Sequence, residues 1–301
     1  MKCVVTGGAG FIGSHLADAL VERGHEVHII DNLHSGKKEH VHKDAVLHII
    51  DIRDLEKIRK VFKDLGAVKC VFHLATLPRV PFSIEHPIET NAVNVDGALN
   101  MLVASKDAGA EKFVYSASSS AYGDQNTLPL TEDMRVNPKS PYGLQKYIGE
   151  LYCKIFYEVY GLPTVSLRYF NVYGPRYNPE GDYALVIGKF IKQKRQGKPL
   201  TITGDGSQTR DFTHVSDVVQ ANILAMESDK VGKGDVINIG GGSNTSINAL
   251  ASLIGGPVQY IEARLESKDT LADIKKAKEL LGWEPKMQFE EGIRTLLRNT
   301  A

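Results

Sequence analysis

The sequence predicts an α/β protein built on a doubly wound parallel sheet, with a smaller α/β region toward its C-terminal end. Three observations point there. Short runs rich in β-branched residues alternate with stretches of helical period, which is how strands buried on both faces and their crossover helices read. A cluster of glycines directly follows the first run, at residues 7–13. After residue 171 the alternation gives way to Gly/Pro-rich connections: Gly174-Pro175-Arg176, Asn178-Pro179-Glu180-Gly181 and Gly204-Asp205-Gly206.

In chain order, strands are expected at 2–6 (KCVVT), 26–30 (EVHII), 46–51 (VLHIID), 69–74 (KCVFHL), 112–116 (KFVYS) and 164–169 (TVSLRY). Residues 11–23 place Phe11, Ile12, Leu16, Ala19 and Leu20 on one helical face, with Asp18, Glu22 and Arg23 opposite and Gly24 as the stop. Segments 91–108 and 141–160 read as longer amphipathic helices, the second opened by Ser140-Pro141. Further helices fall near 184–196 and 215–228, and a strand at 236–239 (VINI), ahead of Gly240-Gly241-Gly242, returns to the main sheet. The expected organisation is one unit over 1–170, with a return segment at about 215–245, and a second over 171–214 and 246–301.

Composition narrows the partners. With 36 Lys+Arg against 36 Asp+Glu there is no net charge to serve as a footprint for nucleic acid or an anionic membrane, so neither is expected as a partner. No apolar run approaches a membrane span and no signal-peptide pattern follows Met1, so a cytoplasmic protein is expected. Cys3, Cys70 and Cys153 sit apart in apolar stretches, as reduced buried thiols do, and no His/Cys spacing suggests a metal.

Gly8-Ala9-Gly10-Phe11-Ile12-Gly13 forms GxGxxG between the first strand and first helix, overlapped by Gly7-x-x-Gly10-x-x-Gly13. Glycines there permit the tight turn and a close approach of backbone to pyrophosphate, while the helix N-terminus offers N–H groups to the anion. Asp31, 18 residues after Gly13 at the end of the second strand, supplies a carboxylate for ribose hydroxyls and would repel a 2′-phosphate, which favours NAD over NADP. Together these define a Rossmann-like dinucleotide site. The bland alternative is a glycine turn that merely packs helix on sheet. Asp51 would reach the adenine in the same way, or simply form a turn.

Tyr142 and Lys146 stand four apart where the 141–160 helix opens, so they share a face. A phenol is a poor base at neutral pH unless a neighbouring ammonium and a cationic nicotinamide stabilise its phenolate. Ser118, just after the fifth strand, lies at the sheet's carboxyl end, where it can relay the proton. YxxxK alone also fits an amphipathic helix with a solvated lysine.

The combination resembles the extended short-chain dehydrogenase/reductase superfamily, in its NAD-dependent sugar-nucleotide epimerase/dehydratase branch. Matching stretches include TGGAGFIG (6–13), HLA (73–75), NVDG (94–97), SPYGLQK (140–146), LRYFNVYGPR (167–176) and TRDFTHVSD (209–217). The resemblance implies that Gly7, Gly10, Phe11, Ile12, Asp31, Asn32, Ser35 and Gly36 bind NAD. It extends the cofactor set to Asp51, Ile52, Leu74, Ala75, Asn94, Ser116, Tyr142, Lys146 and Tyr169. It puts Asn171 and Arg210, and more loosely Arg264, at the nucleotide-sugar diphosphate, with Thr270 near the sugar's C2 substituent. Arg210 suits phosphate by its donor fork, or pairs at the surface with Asp211. Thr270 is small enough to admit an N-acetyl group, or only caps a helix beginning near Asp273.

Relatives that dehydrate carry an Asp-Glu pair after the catalytic Ser or Thr, and decarboxylases a Glu. Here Ser119-Ser120-Ala121 follow Ser118. Elimination lacks its acid/base pair, so reversible oxidation at C4 remains. The expected activity is NAD-dependent 4-epimerisation of a UDP-hexose: UDP-glucose/UDP-galactose and their N-acetylated counterparts. A UDP-uronic acid 4-epimerase and a keto-sugar reductase are the alternatives; a non-catalytic NAD-binding regulator would lack the Tyr/Lys pair. Arg79, in the Leu77–Ser83 stretch, resembles a loop residue beside the sugar, or is a solvated side chain. The resemblance also implies a homodimer in which helices 91–108 and 141–160 pair across a twofold axis.

Overall fold

The computed structural model describes residues 1–177, 186–262 and 268–298. In the first stretch the elements run β1 (Lys2–Thr6), α1 (Phe11–Glu22), β2 (Glu26–Asp31), β3 (Val46–Ile49), α2 (Leu55–Leu65), β4 (Cys70–His73), α3 (Val80–Glu85) and α4 (Pro87–Asn91). They continue with α5 (Gly97–Asp107), β5 (Phe113–Ser118), α6 (Pro141–Tyr160), β6 (Thr164–Tyr169) and β7 (Val172–Tyr173). The second stretch holds α7 (Val186–Arg195), β8 (Leu200–Thr203), β9 (Thr209–Asp211), β10 (Thr213–His214), α8 (Val215–Glu227), β11 (Lys233–Ile239), β12 (Asn244–Ser246), α9 (Ile247–Ile254) and β13 (Val258–Ile261). The third holds α10 (Lys275–Leu281) and α11 (Phe289–Arg298).

The central sheet has seven parallel strands in the order β3-β2-β1-β4-β5-β6-β11. Its order reverses between β1 and β4, and sheets of this kind gather ligands outside the carboxyl ends of the strands at such a switch. The strand period of two divides the core. Cys3 and Val5 of β1 pack with Leu16 and Leu20 of α1 and Val218 and Ile223 of α8. Val4 faces the other way, toward Ile58 and Phe62 of α2, Met101 of α5 and Phe156 of α6. All three cysteines are buried free thiols. A separate core joins Phe190 of α7, Ile202 of β8, Leu250 of α9 and Ile293 of α11. Ala277, Leu281 and Trp283, late in the chain, pack instead into the large sheet's core.

Several expectations shift. β3 stops at Ile49, whereas β5 runs on to Ser118, so Ser118 ends a strand instead of following one. The helix expected over 91–108 changes type: Ala92–Asp96 is π-helical before α5 begins. That turn puts Asn94 inside, where its Oδ1 accepts from Thr76 Oγ1 and Leu77 N at 2.8 Å each. α2 is an element the alternation above passes over. Asp54 caps it by accepting from the Lys57 N–H, and Ile58, Val61, Phe62 and Leu65 line its buried face. α6 opens and closes as its sequence demands: Ser140 accepts from Gly143 N, Pro141 occupies the first turn, and Gly161 ends it at φ 70°.

Candidate active site

The loop between β1 and α1 is built by sterics. Gly7 has φ +68°, and a methyl group there would lie 2.8 Å from Ala75 N; one at Gly13 would lie 2.2 Å from the Gly7 carbonyl oxygen. Gly10 is the N-cap of α1, and no side chain caps it. The first-turn N–H groups, those of Phe11, Ile12 and Gly13, thus keep the positive end of the helix dipole for an anion. A cradle that a side chain would fill and an uncapped helix start together fit the diphosphate of a dinucleotide.

Asp31 is 7% exposed, and its carboxylate accepts from Ala9 N at 3.0 Å and Leu33 N at 2.8 Å. It therefore fixes the glycine loop, and each oxygen retains a second lone pair. Gly36 closes on it, since a methyl there would meet Asp31 Oδ1 at 3.0 Å, and Ser35 is exposed alongside. Asn32 donates to Asp51 Oδ2, which also binds Arg53 Nη2 at 2.7 Å. The Arg53 side-chain hydrogen bond is the main cause holding the Asp51 carboxyl well below its ordinary range. Asp51 also accepts from Arg53 N, as a turn former does. Ile52 is buried against Gly97, and the N–H groups of Leu74 and Ala75 donate to Thr6 Oγ1 at 3.1 Å each.

The strand ends of β5 and β6 meet the first turns of α6. Ser118 lies opposite Tyr169 in the sheet register. Tyr142 is 9% exposed, and its N–H donates to Ser83 Oγ, which docks α3 onto α6. Lys146 is 2% exposed; its Nζ donates to Ser116 O at 2.7 Å and Ser116 Oγ at 3.3 Å and stands 5.0 Å above the Tyr115 ring. Burial lowers its pKa to about 7, against the pull of Glu150 and Cys153. Burial raises the Tyr142 phenol, and the groups opposing burial are a hydrogen bond with Ser118 and the charge of Arg79. Arg79 itself donates to Tyr177 OH at 3.3 Å and lies over its ring, while Tyr177 meets Phe11 edge to face. It is a half-buried bridge and not a solvated side chain.

The remaining candidate residues are tied to one another and to their neighbours. Tyr169 OH donates to Asn222 Oδ1 at 2.9 Å. Asn171, with φ 28°, donates from Nδ2 to Asp211 O. Arg210 Nη1 donates to Thr209 O and Lys268 O, so the surface pair with Asp211 is not what forms. Asp211 is fully buried and accepts from Gly241 N and Ala272 N at 2.5 and 2.9 Å. Thr270 Oγ1 accepts from Asp211 N at 3.2 Å, and the following helix starts only at Lys275 with Ile274 as its N-cap. Thr270 is thus no cap. Arg264 lies outside the described residues.

Sequence reasoning missed Asp211, Gln145, Glu150 and Arg168. Gln145 links Asn94 to Thr90. Glu150 repeats the four-residue spacing of Tyr142 and Lys146, a signal that was there to be used.

These features define a dinucleotide-binding enzyme fold with a buried Tyr/Lys pair beside the carboxyl ends of β5 and β6. The sequence matches the NAD dependent epimerase/dehydratase family over residues 3–240. It is 37% identical over 308 residues to UDP-glucose 4-epimerase of Mycolicibacterium smegmatis, covering 97% of this chain and 96% of that one. The UDP-glucose 4-epimerase of Thermotoga maritima, solved with UDP-glucose, superimposes with TM-score 0.94 at 40% identity, over 99% and 98% of the two chains. UDP-N-acetylglucosamine 4-epimerase from Methanobrevibacter ruminantium, solved with UDP-N-acetylmuramic acid, gives 0.92 at 40% identity, over 99% and 97%. The chain belongs to the NAD dependent epimerase/dehydratase family, and NAD is its cofactor.

Proposed function

We propose that this protein interconverts UDP-hexoses at C4, UDP-glucose with UDP-galactose and UDP-N-acetylglucosamine with UDP-N-acetylgalactosamine. One observation carries the choice of reaction: Ser118 is followed by the turn Ser119–Ala121, which holds no carboxylate for elimination or decarboxylation. NAD, when bound, would supply a reversible hydride acceptor for C4. Tyr142 takes the proton of the C4 hydroxyl, with Ser118 sharing that oxygen, and gives it back once the sugar has turned. Gly7, Gly10, Gly13 and the start of α1 hold the diphosphate of NAD; Asp31 and Gly36 hold its ribose. Asn171 and Arg210 face the substrate diphosphate, a role also assigned to Arg264, and Thr270 faces the C2 substituent.

In this reading residues 1–170 with about 215–245 bind NAD, and 171–214 with 246–301 bind the nucleotide sugar. The protein acts in the cytoplasm, and no helix among the described residues is long and apolar enough to cross a membrane. It works as a homodimer, because Leu144, Leu151, Ile155 and Val159 form an exposed apolar stripe along α6 that a second copy would cover.

The test uses purified protein without added NAD, offered UDP-galactose, UDP-N-acetylgalactosamine and UDP-glucuronate in parallel, with anomeric protons followed by NMR. Interconversion of the hexoses is expected. Turnover of UDP-glucuronate alone would overturn the substrate reading, and no turnover of any sugar would overturn the activity.

A further inference from the structure

Tyr142, Lys146 and Glu150 follow one another at four-residue intervals along α6, and all three are buried. Below the lysine, the Glu150 carboxylate accepts from Arg168 Nε at 2.9 Å and Nη2 at 2.7 Å, with the two side chains 2–3% exposed. The guanidinium lies 4.5 Å over the Tyr122 ring, whose hydroxyl donates to Asn238. Arg168 Nη1 is buried with no hydrogen-bond partner among the described residues. A buried pair that leaves a donor orphaned is poorly suited to stabilising the fold, since well-packed apolar residues of the same volume often do better. It calls for another role.

The surroundings of Lys146 supply one. Both acceptors of its ammonium belong to Ser116 and are neutral. The titratable groups facing it from other elements are His73 of β4 and Tyr115 of β5; from α6 itself come Tyr142, Glu150 and Cys153. Burial takes His73 down to about 3, pushes Cys153 up to about 12 and raises Tyr115, so these three are neutral near pH 7. Glu150 is itself raised by burial, but its two-point contact with Arg168 favours the ionised carboxylate.

We propose that Glu150, clamped by Arg168, is a positioning residue for Lys146, its buried negative charge holding the lysine as an ammonium against Ser116. The inference rests on the reading of Tyr142 and Lys146 as the reacting pair, and its readout is independent of turnover.

The experiment follows the Lys146 side chain by carbon and nitrogen NMR through a pH titration of the NAD-loaded protein, with Lys146→Met identifying the signal. Glu150→Gln keeps the shape and an acceptor for Arg168 while removing the charge. The Lys146 midpoint should fall by about one pH unit or more, the effect of losing an opposite charge one helical turn away in a buried site. The alkaline limb of kcat should move the same way, with KM nearly unchanged. Glu150→Asp, which restores the charge, should return most of the midpoint and also serves if the Gln variant folds poorly. Adding Glu150→Gln to Lys146→Met should slow turnover no further. An unmoved midpoint in Glu150→Gln, an Asp variant as low as Gln, or an additive loss in the double variant would each overturn the proposal. A shifted midpoint in a protein that turns over no UDP-sugar would uphold it and count instead against the proposed activity.

Discussion

The glycine loop after β1 and the strap of chain around Asp211 both bring backbone against backbone, and they do so by opposite means. At Gly13 no side chain fits, because the Gly7 carbonyl oxygen would stand 2.2 Å from it. At Asp211 a side chain does the joining: its carboxylate takes the N–H groups of Gly241 and Ala272, while its own N–H meets Thr270 and its carbonyl meets Asn171. The loop expected to cradle NAD is rigid by exclusion, and the strap expected to face the sugar is held by bonds that other residues could replace. A shared cofactor and a variable substrate fit such a division, in which contacts that position the common group tolerate no change and those that face the variable one do.

The sharpest way to break that contrast is Gly13→Ala. With no room for the methyl, it should destabilise the protein by roughly 4 kcal/mol or more and empty it of NAD, seen as a lowered Tm and loss of cofactor on gel filtration. Retained NAD and an ordinary Tm would show that the loop yields.

A smaller effect is expected at Asp211, whose carboxyl burial pushes up to about 6 against the backbone N–H donors. The unfolded carboxyl titrates near 3.9, so between about pH 4 and pH 6 the folded chain binds a proton the unfolded chain has released. Stability contributed by this group therefore falls as pH rises through that window and is level above it. Urea unfolding of wild type and Asp211→Asn at both ends of the window should show a difference that changes by about 1–3 kcal/mol. Parallel curves would mean the carboxylate is fully satisfied by its donors.

Thr270 should matter least to the fold. Thr270→Val, which leaves the Asp211 N–H without its acceptor, should lower stability by about 1 kcal/mol in thermal unfolding. Thr270→Tyr sharpens the question of sugar size: turnover of the N-acetylated UDP-hexoses should drop more than that of UDP-glucose and UDP-galactose, by steric exclusion. Equal losses would place Thr270 away from the C2 pocket.

The same contrast explains what the sequence makes legible. Where one residue type alone fits, the letters carry the structure, as at Gly7 and Gly13, at the Ser140-Pro141 start of α6 and in the β-branched runs of the sheet. The i,i+4 spacing likewise brings Tyr142 and Lys146 to one buried face. Asp211 is illegible because which of two neighbours on a three-residue strand points inward is set by the pairing of β9 with β12, not by composition. Glu150 shares the four-residue spacing of Tyr142 and Lys146, but what it does there is hidden until Arg168, 18 residues on, is placed across from it. The π-helical turn at Ala92–Asp96 has no composition of its own and forms around the bonds of Asn94.

The central claim is that the C4 hydrogen leaves and returns within the site while Tyr142 handles only the hydroxyl proton. UDP-galactose deuterated at C4, turned over in ordinary water without added NAD, tests it directly. The account predicts UDP-glucose with deuterium still at C4, no NADH released, and a rate about 10²–10⁴-fold lower in Tyr142→Phe that still carries its NAD. Loss of the label to solvent, or a Tyr142→Phe variant as fast as wild type, would contradict it.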